Sequence, residues 1–166
     1  KNISWDFLRW PALIARLAPD HPTRVQFVDR LGMAPEDFAC LCFTAYYPAL
    51  NNETIFKLDF FEPLRPHFGA ALDRFLDEFS RDLAGLRTEL RRQLGARIAA
   101  NEVARSRKEL SEFPWLSNYP LLKISDRRLL VWHPIVFARG LESAVHKRLS
   151  ERREDYAKHF SKVFED

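Results

Sequence analysis

Residues 68–110 decide the fold, and they read FGAALDRFLDEFSRDLAGLRTELRRQLGARIAANEVARSRKEL. The stretch contains no proline, and helix-forming residues dominate it, so it predicts a long helix. A seam of apolar residues follows its first half at spacings of four and three, as in a coiled coil: Leu72, Leu76, Phe79, Leu83, Leu86 and Leu90. This seam can pack inside the chain or against a second copy. Four of its residues are therefore candidates for a homodimer contact: Leu72, Phe79, Leu83 and Leu86.

The predicted helix is long for a domain of this size. A straight helix over 68–110 would measure about 65 Å at about 1.5 Å per residue. A compact domain of 166 residues is only about 40 Å across. We therefore expect the helix to break, near Gly85 or Gly95, or to project from the body of the domain.

The residues before this stretch, 1–66, contain short amphipathic segments separated by prolines, and they predict short helices. The segment Thr54–Phe61 is ambiguous. Its apolar residues alternate with polar ones as in a strand, yet the sequence offers no obvious partner strand. Its structure is therefore left open at this point.

A small β-hairpin is predicted within residues 119–133, after the long stretch. Two apolar runs, Leu121–Ile124 and Leu129–Trp132, flank a polar tetrapeptide and are typical of paired strands. A lone hairpin is marginal in water, so we expect it to lie on helices. Residues 134–166 then predict C-terminal helices, beginning at a proline.

Together these segments predict one mainly α domain with a central helix over 67–112, broken or projecting, and one small hairpin. We expect this domain to be a fragment of a longer protein. Met33 is the sole methionine of the chain. An apolar helical stripe that includes Phe160 and Phe164 also stops at its most hydrophobic point.

Composition indicates a soluble globular protein. Hydrophobic residues make up 46% and charged residues 30%, which argues against disorder. The sequence contains no apolar run near the ~18 residues that a membrane span needs. Cys40 and Cys42 stand at i and i+2, where side chains on a helix diverge, so we interpret them as two buried free thiols. These features predict a cytoplasmic protein that does not contact a membrane.

The charges are unevenly divided along the chain. Residues 1–86 carry 9 basic and 12 acidic side chains, whereas residues 87–166 carry 17 basic and 11 acidic ones. A second basic group in that half contains Arg148, Lys158 and Lys162 besides two candidates named below. Such residues either form a solvated or partner-facing surface or contact nucleic-acid phosphates. The candidate nucleic-acid-binding residues are Arg87, Arg91, Arg92, Arg97, Arg105, Arg107, Lys108, Arg152 and Arg153.

The sequence contains no recognisable catalytic motif. It has no nucleophile elbow, no phosphate-binding Gly-Lys-Ser/Thr loop and no dinucleotide fingerprint. Its five histidines are scattered, and none stands four residues from another: His21, His67, His133, His146 and His159. We therefore predict a non-enzyme that uses no metal or cofactor.

The C-terminal third resembles a recurring stretch of large uncharacterised bacterial proteins. The likeness rests on Pro120-Leu121-Leu122, the hairpin, His133-Pro134, Gly140-Leu141, Tyr156 and residues 159–165. In those proteins a helical region precedes a restriction-endonuclease-like nuclease module, and several are of the phage-defence type. The resemblance implies that any catalytic module lies outside this chain.

Two hypotheses follow for function. The first is a non-catalytic helical domain that positions or regulates an adjacent module of a larger bacterial protein, so its partners would be the neighbouring domains. The alternative is a nucleic-acid-binding module of a nuclease-type or defence protein, acting through the basic residues named above.

Overall fold

The computed structural model describes residues 3–51, 53–99, 118–150 and 156–163. The described chain is mainly helical, which confirms the predicted fold class, and it carries a small four-stranded sheet where a single hairpin was predicted. The α-helices are α1 (Ile3–Arg16), α2 (Pro22–Leu31), α3 (Pro35–Leu50), α4 (Arg65–Phe68), α5 (Ala70–Phe79), α6 (Leu83–Ala99), α7 (Pro134–Ser150) and α8 (Tyr156–Lys162), with a 3₁₀ helix at Leu58–Leu64. The strands are β1 (Ile55–Lys57), β2 (Ser80–Asp82), β3 (Leu121–Ser125) and β4 (Arg128–Val131).

Helix α2 illustrates how local sequence sets the helix ends. His21 Nδ1 accepts a hydrogen bond from the backbone N–H of Thr23 at 3.2 Å, and Pro22 occupies the first turn. At the other end Gly32 adopts a positive φ of 67° and donates its N–H to the Val28 carbonyl at 2.7 Å. A glycine tolerates this left-handed conformation without a Cβ clash, which is why α2 stops there.

The predicted hairpin is present as β3 and β4, joined by a two-residue turn at Asp126-Arg127. It belongs to a larger sheet with the order β1-β4-β3-β2. The ambiguous segment finds its partner here, since β1 pairs antiparallel with β4 and places Ile55 opposite Leu130. Strand β2 pairs parallel with β3, placing Ser80 opposite Leu121.

The central helix is broken shortly before Gly85, one of the two predicted places. The break lies at Ser80–Asp82, which forms β2, and both glycines lie within α6. Ser80 Oγ donates to the Leu76 carbonyl at the end of α5, and Asp82 Oδ1 accepts the Gly85 N–H at 2.6 Å at the start of α6. The sheet therefore takes over the backbone hydrogen bonds that a continuous helix would have made. The predicted extension over 100–112 lies outside the described residues.

The core is built from aromatic and aliphatic side chains of nearly every element. Phe38 on α3 lies at its centre, with ring centroids 5.6 Å from Phe27, 6.0 Å from Phe75 and 5.3 Å from Phe79. The buried cluster extends along the sequence from Ile14 to Tyr156, so early and late segments share one core.

The apolar seam packs inside the chain only in part. Leu72, Phe79 and Leu86 are buried, whereas Leu83 is 56% and Leu90 46% exposed. The predicted homodimer contact is therefore wrong for three of its four residues, because their side chains already lie in the core.

The interpretation of two buried thiols holds for Cys42 alone. Cys40 is exposed on α3, and both cysteines are free. Burial, and secondarily the nearby Cys40, raises the pKa of the Cys42 thiol, so it stays protonated near neutral pH.

Candidate anion-binding pocket

A polar pocket of about 240 Å³ lies where α2, α5, β2, α6 and α7 meet the residues that lead into β3. Its lining contains five cationic side chains, two carboxylates, an amide and a phenol. These residues are Arg30, Glu78, Arg81, Glu89, Arg92, Asn118, Tyr119, Lys147 and Arg148.

Arg148 is the most buried residue of the pocket lining. Its side chain is 7% exposed and donates from Nε to Glu78 Oε2 at 2.8 Å. Its Nη2 donates to the backbone carbonyls of Glu78 and Asn118, the second at 3.1 Å. The guanidinium carbon also lies 4.6 Å from the ring centroid of Phe79, a cation–π contact. Arg148 thus joins α7 to α5 and to the approach to β3.

Glu78 is the shared partner of two arginines. Besides Arg148, the Arg30 Nη1 lies 3.3 Å from Glu78 Oε1. Burial alone would raise the pKa of Glu78, but the hydrogen bonds and positive charges of Arg148 and Arg30 outweigh it and lower the pKa below its ordinary value. The carboxylate is therefore ionised at neutral pH, with two positive charges against its single negative one.

Arg81 and Tyr119 form one wall of the pocket. The parallel pairing of β2 with β3 brings them together, because Arg81 lies on β2 and Tyr119 just precedes β3. The Arg81 guanidinium lies 4.4 Å from the Tyr119 ring centroid. Its Nη1 donates to the carbonyls of Asp77 and Ser80, so the side chain is held in place from both sides.

The remaining wall comes from α6 and α7. Arg92 makes two hydrogen bonds to Glu89, at 2.9 and 2.6 Å, and its side chain is 69% exposed. Lys147 is exposed on α7. Neither Arg81 nor Lys147 forms an ion pair with a carboxylate in the part of the chain that the structure describes.

The pocket thus has a surplus of positive charge and of hydrogen-bond donors. Its carboxylates are engaged by Arg30, Arg92 and Arg148, while two further cations lack such partners. In addition, Arg30 Nε is buried without a hydrogen-bond partner among the described residues. Oxyanions provide several acceptors for the cationic donors of Arg81 and Lys147.

The structure divides the predicted nucleic-acid-binding residues. Arg92 lines the pocket, whereas Arg87 and Arg91 are exposed elsewhere around α6. Arg97 belongs to α6, and its side chain is outside the description. The other five candidates lie outside the described residues: Arg105, Arg107, Lys108, Arg152 and Arg153.

Sequence reasoning missed several pocket residues. Arg30, Arg81 and Lys147 were not among the candidates, and Arg148 appeared only as a member of a basic group. Arg30 and Arg81 stand far apart in the sequence, each among acidic and apolar neighbours. The sheet pairing and the packing of α2 against α5 bring them together, and no local pattern signals either.

The histidines of the described residues have local roles at helix ends or in packing. His133 Nδ1 accepts the Ile135 N–H at 3.2 Å, as His21 does at α2. His146 Nδ1 lies 2.8 Å from the Tyr156 hydroxyl, and its ring packs edge-on against Trp10 and Phe160. Within 3–51, 53–99, 118–150 and 156–163, no group of three or more His, Cys, Asp or Glu residues is placed to hold a metal ion.

Comparison with known proteins identifies no relative of this chain: no protein family, no characterised protein and no solved structure matches it.

The described helices also bear on membrane contact. None of them combines the length and the apolar character that crossing a bilayer requires.

Proposed function

We propose that this chain is a non-catalytic nucleic-acid-binding module that contacts phosphates through the pocket. The observation that carries the proposal is the pocket's surplus of cations over carboxylates. Arg81 and Lys147 are the central contacts, and Arg92 extends the site towards solvent.

The chemistry of the lining supports phosphate over a neutral ligand. Guanidinium and ammonium groups make charge-assisted hydrogen bonds to phosphate oxygens, and arginine can bind two oxygens at once. The exposed Arg87 and Arg91 on α6 add positive charge outside the pocket. Contacts of this type position a nucleic acid without reading its sequence.

A salt titration of binding to a fluorescently labelled DNA duplex tests the proposal. Binding through phosphates releases counterions, so affinity should fall linearly on a double-logarithmic plot of affinity against salt. For the double variant Arg81→Gln/Lys147→Gln we expect weaker binding and a slope smaller by about 2, at about 0.9 per lost contact.

The chain offers a matched control for this experiment. Lys57 and Arg128 face each other across β1 and β4, at the sheet edge opposite β2, and both are exposed. The variant Lys57→Gln/Arg128→Gln changes the charge equally and should leave the slope nearly unchanged. Binding that is undetectable at low salt, or insensitive to salt, contradicts the proposal.

A specific surface favours a second candidate, a domain that positions an adjacent module. Phe43, Tyr47 and Leu50 are each about half exposed, and their spacing places them on one face of α3. Exposed apolar groups of this kind are typical of protein interaction sites. The resemblance to a helical region upstream of a nuclease module is consistent with such a role.

Hydrogen exchange distinguishes this second candidate. It compares the amides of residues 43–50 in this chain alone and in the intact product of the parent gene. Slower exchange in the intact protein would support a docking role, and equal exchange rates would contradict it. The result does not depend on nucleic acid, so each candidate has its own test.

A further inference from the structure

We infer that the pocket binds a terminal phosphate group, a phosphomonoester, and not an internal phosphodiester of the strand. The inference rests on the proposed function, because it takes the phosphate to be carried on the end of a nucleic acid.

The size of the pocket suits a single phosphate group. Sites that enclose a whole small-molecule ligand usually measure about 300–1,000 Å³. A volume of about 240 Å³ is below this range but ample for one phosphate group. The remainder of the ligand then lies outside the pocket, as the nucleotides of a strand would.

The shape of the pocket favours a phosphate group with a single substituent. The pocket is a half-open concavity lined by residues of α2, α5, β2, α6 and α7, and the hydrogen-bonded pair of Arg148 and Glu78 forms part of this lining. An internal phosphodiester has a chain continuing from two of its oxygens and fits a groove open on both sides. A phosphomonoester has a single substituent, so it can enter a concavity through its open side and direct its other three oxygens at the lining.

The charge of the pocket lining also favours a phosphomonoester. Five cations and two carboxylates line the pocket, and the carboxylates already have partners. A phosphomonoester carries about −1.5 to −2 charges at pH 7 and three strong acceptor oxygens, whereas a phosphodiester carries a single charge. The remaining donors of Arg81 and the ammonium group of Lys147 match the first ligand better than the second.

Tyr119 acts as a positioning residue in this site. The guanidinium of Arg81 lies over its ring at 4.4 Å, and that of Arg148 lies 5.7 Å from the same centroid. The ring therefore orients two cations and is not a free platform for stacking a base. The site should bind a terminal phosphate with little preference for the base that carries it.

Fluorescence anisotropy with three short single strands of identical sequence tests the inference. One strand ends in a 5′-phosphate, one in a 3′-phosphate, and one has hydroxyl groups at both ends, with an internal label in each. We expect at least one phosphorylated strand to bind roughly tenfold more tightly than the hydroxyl strand, the effect of one strong charge-assisted hydrogen bond. Equal affinity for all three strands would overturn the inference while leaving the proposed function intact.

The variants described under the proposed function show whether the preference for a phosphorylated end depends on the pocket. Arg81→Gln/Lys147→Gln should abolish the preference for a phosphorylated end, and the single variant Lys147→Gln provides a second reading if the double variant melts early. The control Lys57→Gln/Arg128→Gln should retain the preference. A preference that survives loss of both Arg81 and Lys147 would also overturn the inference.

An experiment with inorganic phosphate distinguishes a pocket that binds the phosphate of a nucleic acid from one that binds the phosphate of a small molecule. If none of the strands binds, the proposed function fails, and thermal melting with added phosphate becomes the deciding measurement. A rise in melting temperature in the unsubstituted protein but not in the Arg81→Gln/Lys147→Gln variant would support a phosphate pocket for a small phosphorylated molecule. No rise in either would overturn the pocket inference as well.

Discussion

Arg148 is a cationic side chain placed where water is nearly excluded. It is tolerated because Glu78 and two backbone carbonyls accept its hydrogen bonds and the Phe79 ring lies beneath it. Burying a charge is costly, so such a residue stabilises a fold only when its partners are complete. Its main contribution here is to hold α7 in register with α5.

Replacing Arg148 by methionine should therefore destabilise the fold. The change leaves Glu78 with Arg30 as its remaining cation and deprives two carbonyls of a donor. We expect a loss on the order of 3 kcal/mol in the free energy of unfolding, measured by urea denaturation.

Arg91→Met is the matched control, because Arg91 is exposed on α6, and it should change stability by less than about 0.5 kcal/mol. The double variant Arg148→Met/Glu78→Gln should lose less than the sum of the two single changes. Strict additivity would show that the pair does not interact.

Glu78 also predicts how stability depends on pH. Its pKa is lowered in the folded protein, so its stabilising effect is complete above the unfolded value of about 4.3 and is lost as the pH falls through the native value. We expect the urea midpoint to fall in acid, and the difference between the native protein and Glu78→Gln to shrink over the same range. Parallel curves for the two proteins would contradict this expectation.

At the residue scale, the sequence shows which residues are charged but not where the fold places them. Arg92 was identified because it stands in a basic run. Arg81 was not, since its acidic neighbours Asp77 and Asp82 conceal it in any count of charge. A pocket assembled from α2, β2 and α7 depends on tertiary contacts that a local pattern does not contain.

Among the elements, β2 has the largest consequence for the site. Ser80–Asp82 interrupts the helix and pairs with β3, which places Arg81 beside Tyr119. The seam spacing continues through the break, from Leu76 and Phe79 to Leu83, so the apolar pattern conceals it. Ser80-Arg81-Asp82 has little intrinsic strand preference, and pairing with β3 decides its conformation.

Asp82 should be the residue that lets α6 begin where it does. Its carboxylate accepts the Gly85 N–H at 2.6 Å, one of the four donors left unpaired at a helix start. We expect Asp82→Ala to lower the free energy of unfolding by about 1 kcal/mol. Asp82→Asn keeps an acceptor and should recover most of the loss in the same thermal-melting series; equal destabilisation by both would argue against a capping role.

At the element scale, the sheet contains two strands that the sequence predicts and two whose pairing it does not predict. The hairpin is local, with a polar turn between two apolar runs, and it was predicted within a residue at each end. Strands β1 and β2 pair with residues far along the chain. Their partners could not be identified without the three-dimensional fold, because three-residue strands carry little periodicity.

The described residues share one core, and that core includes both early and late segments. Ile14 on α1, Phe38 on α3 and Leu141 on α7 belong to the same buried cluster. The mainly α class was predictable because proline positions and helical spacing are local features. The arrangement of the helices was not, since it depends on which apolar faces meet.

A shared core implies a single cooperative unfolding transition. We expect Phe38→Ala, which empties the centre of the aromatic cluster, to cost about 3–5 kcal/mol. Far-ultraviolet circular dichroism and tryptophan fluorescence should give coincident denaturation curves for the native protein and the variant. Separate midpoints for the two probes would reveal independent subdomains instead.

The parallel pairing of β2 with β3 has a consequence for the order of events during synthesis. While the ribosome has made the chain only as far as α6, β3 does not yet exist, and Ser80–Asp82 has no strand to join. The stretch from α5 to α6 is then free to form one uninterrupted helix. The break at Ser80–Asp82 forms only after β3 has been translated, and the pocket is complete only when α7 contributes Arg148.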